Sequence, residues 1–167
     1  RQADSHRGRS AQCGARGARR TQGIVRVKTR IDAQVIDARL RELSRRLRRI
    51  EAKRPASLKQ LSGDEDLQDI MSHNLELAIQ TCIDIAAHLC GAHGLVPPTA
   101  GDSFSMLAKL GLLEPALAAR LRRAVGFRNV LVHEYVEVDW KIVLRVISAG
   151  TKDLAAFGKT VVALLEA

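Results

Sequence analysis

The stretch LQDIMSHNLELAIQTCIDIAAHL, residues 67–89, decides the fold. Leu67, Ile70, Met71, Leu75, Ala78, Ile79, Cys82, Ile85, Ala86 and Leu89 recur at helical spacing, and Leu77 and Ile83 widen the apolar arc. A helix apolar over so broad an arc must be enclosed by other elements. Asp64, Glu65, Asp66 and Asp69 crowd its start, where acids favour the positive end of the helix dipole. Ser62-Gly63 precedes it, and Gly91 and Gly94 end it. The spacing therefore predicts a long central helix with others around it.

Working outward, residues 29–53 predict a second helix. Ile36, Leu40, Leu43, Leu47 and Ile50 form a seam with 4-3-4-3 spacing, extended upstream by Ile31 and Val35. Around it lie Arg39, Arg41, Arg45, Arg46, Arg48 and Arg49, which read as the solvated side of an amphipathic helix, with a phosphate-tracking face as the alternative. Pro55 stops this helix. Downstream, Val96-Pro97-Pro98-Thr99 is an extended connection, and Asp102 or Ser103 is expected to cap a short helix over 103–110. Pro115 opens a helix running to about residue 131, and Asp139 caps a last one over 140–166, with Trp140 packing at its start. Four long helices, one short one and short loops make an all-α antiparallel bundle.

The net charge of +9 is unevenly spread. Residues 1–26 hold seven arginines and one acid, a net +6, which leaves +3 for the other 141 residues. Residues 1–27 are poor in apolar side chains and are expected to form a disordered basic extension, with 28–167 the folded domain. The extension reads as a start-site artefact, or else as an RNA-binding arm. Cys13, Cys82 and Cys90 make an odd count without framework spacing, which excludes a disulfide scaffold and fits a reducing cytoplasm. Cys82 and Cys90 share a segment with His73 and His88, but metal-site spacing is lacking and core packing is the plainer reading. No metal or cofactor is expected, and no run of 18 apolar residues suggests a membrane span.

The residues that bear chemistry are Arg128-Asn129-Val130-Leu131-Val132-His133-Glu134-Tyr135. They fall where the 115–131 helix ends, a place that favours cations. Arg128, Asn129 and His133 are expected to look toward solvent or a partner. Cutting RNA needs a proton taken from a 2′-hydroxyl and one given to the 5′-oxygen, and a histidine suits either task. The phosphorane formed between these steps gathers negative charge, and a guanidinium can clamp it. Asn129 can bind phosphate or orient the imidazole. One histidine cannot easily serve both sides of phosphorus, so a two-fold dimer with a second pair is expected. On spacing alone, capping groups at a helix end remain the plainer alternative.

This segment resembles the Arg-polar-x-x-x-His signature of the HEPN (higher eukaryotes and prokaryotes nucleotide-binding) superfamily, and more closely that of the HepT-like toxins, which add a tyrosine two residues after the histidine. The similarity extends through Val96-Pro97-Pro98-Thr99, Asp102-Ser103-Phe104, Gly111-Leu112-Leu113 and Val125-Gly126-Phe127, and covers about residues 28–166. The resemblance implies a homodimer of antiparallel bundles and an endoribonuclease toxin acting on RNA. It implies catalysis by Arg128, Asn129 and His133. It also implies silencing when a cognate minimal nucleotidyltransferase antitoxin of the MntA type transfers AMP to Tyr135. A non-catalytic binding partner of a nucleotidyltransferase is the alternative, against which the intact His133 and Tyr135 argue.

Overall fold

Helix starts in this chain are set by side chains that accept a backbone N–H near the first turn. The computed structural model describes residues 31–133 and 138–166, with only the backbone described at His133. The expected extension at 1–27 lies outside those residues. Asp32 accepts from Gln34 and Val35 and opens α1, Ala33–Ala52. Ser57 opens α2, Leu58–Ser62, and Asp64 opens α3, Glu65–Ala92. Thr99 opens α4, Ala100–Lys109. The Glu114 carboxylate receives the Ala116 and Leu117 N–H groups at the start of α5, Pro115–His133. Asp139 opens α6, Trp140–Arg145, which continues through a π-helical turn, Val146–Gly150, into α7, Thr151–Glu166.

The described residues contain helices and no strand, as the periodicity predicts. Three details differ. The helix α2 was not expected. Its signal is Ser57-Leu58-Lys59-Gln60, a capping box in which Ser57 accepts from the Gln60 N–H while the Gln60 amide reaches back to the Ala56 N–H at 2.8 Å. Second, α4 starts at Ala100 because Thr99, not Asp102 or Ser103, is the cap. Thr99 Oγ1 donates to Asp102 at 2.7 Å and accepts the Asp102 N–H, so Asp102 completes the box from inside the helix. Third, the last helix carries the π turn. Ser148 and Thr151 there donate back to the Leu144 and Ile147 carbonyls.

α3 is the axis of the bundle. Its C-terminal half packs Ala78–Cys90 against α1, α4, α5 and α7, with Phe104 and Phe157 meeting edge to face at 5.5 Å. Its N-terminal half packs Leu67, Met71 and Leu75 against Ile50, Leu61, Val143 and Ile147. By length and composition α3 could cross a membrane, but 56% of its apolar window is already buried in the bundle. The seam expected on α1 is buried at Ile36, Leu43 and Ile50, whereas Val35 lies 44% exposed. Gly158 lets α7 approach α1, since a Cβ there would stand 3.3 Å from Leu43. Cys82 and Cys90 are core residues, and burial pushes both thiols up, away from reactivity.

Candidate active site

Ion pairs fix the register of the helices around α3. Arg39 meets Asp84 at 3.4 Å, and Arg46 donates to Asn74 at 3.3 Å, so α1 runs antiparallel to α3. α5 does the same. Its Leu117, Leu121 and Val125 pack in the cluster that holds Ile83 to Leu89, while Arg128 meets Glu76 at 3.9 Å. The end of α5 is therefore level with the N-terminal half of α3.

Arg128, expected to look toward solvent or a partner, is half-buried on α5. Leu117, Leu121 and Val125 mark the buried line of α5, and Arg128 continues it three residues on. The chain thus places a guanidinium where core packing would take an aliphatic side chain. It is held against α3 with its side chain 25% exposed. Glu76, the carboxylate that receives it, was missed by the sequence reading. It stands between Leu75 and Leu77, and nothing in its spacing distinguishes it from a solvent-facing acid.

The guanidinium is loosely held. Nη2 reaches Glu76 Oε1 only at 3.9 Å, and Nη1 donates to Asn129 Oδ1 at 3.4 Å. Nε is buried and has no hydrogen-bond partner among the described residues. A buried donor left unpaired costs about 1–3 kcal/mol, so this edge of the guanidinium favours an added acceptor. Asn129 is exposed beside it. Leu131 joins the core, whereas Val130 and Val132 are half-buried and belong to neither core cluster.

His133 is the last residue of α5, and its side chain lies outside the described residues, as does Tyr135. Asp84, the other carboxylate of α3 that meets an arginine, pairs with Arg39 on the α1 side of the helix, two turns from Glu76. Among the described residues no group of histidine, cysteine and carboxylate side chains is arranged to hold a metal ion.

The family described as ribonuclease HepT-like matches residues 39–161, a span that begins within α1, ends within α7 and contains the Arg128–Tyr135 segment. The chain belongs to the HepT-like family. It is 36% identical over 99 residues to the mRNA nuclease HepT of Shewanella oneidensis, covering 59% of this chain and 74% of that one. It is 31% identical over 121 residues to the tRNA nuclease HepT of Aphanizomenon flos-aquae, covering 72% and 82%. Its fold matches the tri-AMPylated HEPN toxin of Shewanella oneidensis, solved in complex with its MNT antitoxin. The TM-score is 0.72 at 31% identity, over 77% of this chain and 97% of the other. The all-helical architecture of this HepT-like chain is thus that of a HEPN toxin.

Proposed function

We propose that this HepT-like chain is the toxin of a toxin–antitoxin pair. In this reading it is a metal-independent endoribonuclease that works as a homodimer through Arg128, Asn129 and His133. The observation that carries the reading is Arg128: a guanidinium at a core-facing position of α5, with a buried Nε that has no partner among the described residues. A phosphate oxygen supplies the missing acceptor. Family membership, with relatives named as mRNA and tRNA nucleases, supports RNA as the source of that phosphate.

The chemistry follows from the residues. A 2′-hydroxyl gives its proton to an imidazole and attacks the adjacent phosphorus. Arg128 holds the extra charge of the phosphorane, with Asn129 beside it. A second imidazole protonates the departing 5′-oxygen, which leaves a 2′,3′-cyclic phosphate and a 5′-hydroxyl. Two-fold symmetry supplies the two imidazoles as His133 of each protomer. The half-buried Val130 and Val132, outside both core clusters, fit an interface beside the motif.

The off-switch is AMP transfer from a nucleotidyltransferase antitoxin. The Tyr135 phenol oxygen attacks the α-phosphorus of ATP and pyrophosphate leaves. The anionic AMP group then lies beside Arg128 and His133, where it competes with RNA. The AMPylated state and antitoxin complex of the Shewanella oneidensis toxin support this step.

Purified protein is expected to cut single-stranded RNA in EDTA, and Arg128→Ala and His133→Ala are each expected to lower the rate by about 10²-fold or more. Cleavage that depends on added metal, or that survives His133→Ala, contradicts the reading. Co-expression with its nucleotidyltransferase is expected to give AMP-sized additions on Tyr135 by peptide mass spectrometry, absent in Tyr135→Phe.

A further inference from the structure

The exposed face of α3 carries a polar stripe of Asp69, His73, Glu76 and Gln80, spaced 4-3-4 so that they lie in one line. On one side of this stripe α5 brings Arg128 to Glu76. On the other, at the same level, α1 brings Arg46 to Asn74. A cleft of about 760 Å³ opens there between α1 and α3, lined by Arg45, Arg46, Arg49, Asp69 and His73 over Ile70 and Asn74.

The cleft is built as well as charged. Glu42 accepts from Arg45 Nη2 and Arg46 Nε, both at 2.6 Å, so one carboxylate fixes two guanidiniums. Burial works against the Glu42 charge, but the two arginine hydrogen bonds outweigh it and hold its carboxyl below the usual range. Arg49, one turn on, pairs with no carboxylate among the described residues, and His73 faces the cleft exposed. Asp69 is its one acidic lining residue among those described, so the three arginines exceed Asp69 and Glu42 together by one positive charge. Fixed guanidinium forks suit phosphate oxygens, and Ile70 offers apolar surface for a base.

We propose that this cleft is a second phosphate subsite for the substrate strand. Single-stranded RNA crosses α3 from α5 to α1, with the scissile phosphate at Arg128 and a neighbouring backbone phosphate at Arg45 and Arg49, about one helix diameter (~10 Å) away. The inference rests on the ribonuclease reading for its substrate, but its test does not need cleavage. The affinity of the full-length protein for a 2′-O-methylated, uncleavable single-stranded RNA is measured over a series of salt concentrations. Loss of two phosphate contacts in Arg45→Gln/Arg49→Gln is expected to reduce the slope of log K against log[salt] by about 1.4 and to weaken binding about ten-fold or more. Arg41→Gln/Arg48→Gln, which removes the same charge from α1 outside the cleft, is expected to leave the slope nearly unchanged. Equal effects of the two double variants, or no effect of the first, overturn the subsite. So does weaker association of the first with the nucleotidyltransferase when RNA binding is intact, which makes the cleft a protein-docking surface. Absence of cleavage by the unmodified protein, with the slope difference present, sinks the nuclease reading and leaves the subsite standing.

Discussion

At the scale of the residue, Arg128 sits where packing would prefer an aliphatic side chain, and its buried Nε has no partner among the described residues. Such a group is kept at the expense of stability where function needs it. Arg128→Met fills the same line as Leu121 and Val125 and removes the unpaired donor. Its melting temperature is expected to be unchanged or higher, while RNA cleavage falls by about 10²-fold or more. A loss of more than ~2 kcal/mol in stability, with activity falling in step, contradicts this account of Arg128. Arg128→Lys keeps the charge but loses the planar fork, and it is expected to recover little of the cleavage. The core-facing register of Arg128 was not read from the sequence, which placed the side chain toward solvent or a partner, although it stands three residues after Val125 in the buried line of α5. Nor was its partner. Glu76 becomes informative only once ion pairs set α5 against α3.

At the scale of the element, the helix starts carry most of the local information. The Glu114 carboxylate, bound by the Ala116 and Leu117 N–H groups, is held below its usual range. A carboxyl depressed in the folded state stabilises fully above its unfolded pKa, about 4.3 for glutamate, and loses that contribution as pH falls through the lower folded value. Glu114→Gln is therefore expected to lower stability at neutral pH, and the difference from the unmodified protein is expected to shrink in acid unfolding and to vanish once Glu114 is protonated in the folded state. A difference that persists there contradicts an ionic cap. α2 offers a second check. Leu61 is fully buried. Leu61→Ala is expected to cost about 2–5 kcal/mol in urea unfolding, and Ser57→Ala about 1 kcal/mol. Long periodic helices were legible because a 3.6-residue pattern accumulates over several turns in α1, α3 and α5. α2 has a single turn, so only its capping box announces it. The caps at Thr99 and Asp102 compete within three residues, and backbone geometry decides between them. The π turn has no period of its own, and Gly150, where a Cβ would come within 3.0 Å of Val146, marks it only in retrospect.

At the scale of the whole molecule, the all-α bundle follows from one fact: α3 is apolar over an arc too wide for anything but enclosure. Two helices running the same way, α1 and α5, flank its polar stripe and bring arginines to one level from both sides. The motif has one histidine per chain, which made a dimer the simplest way to supply two imidazoles. The measurement that tests this most directly mixes the unmodified protein with an inactive variant. Unmodified and His133→Ala proteins are dissociated, combined in equal amounts and reassociated, and RNA cleavage in EDTA is compared with that of the same amount of unmodified protein alone. The account predicts that cleavage falls to about half, because each mixed dimer has one His133 and lacks one of the two imidazoles. Cleavage equal to that of the unmodified protein alone would contradict a centre shared between two chains.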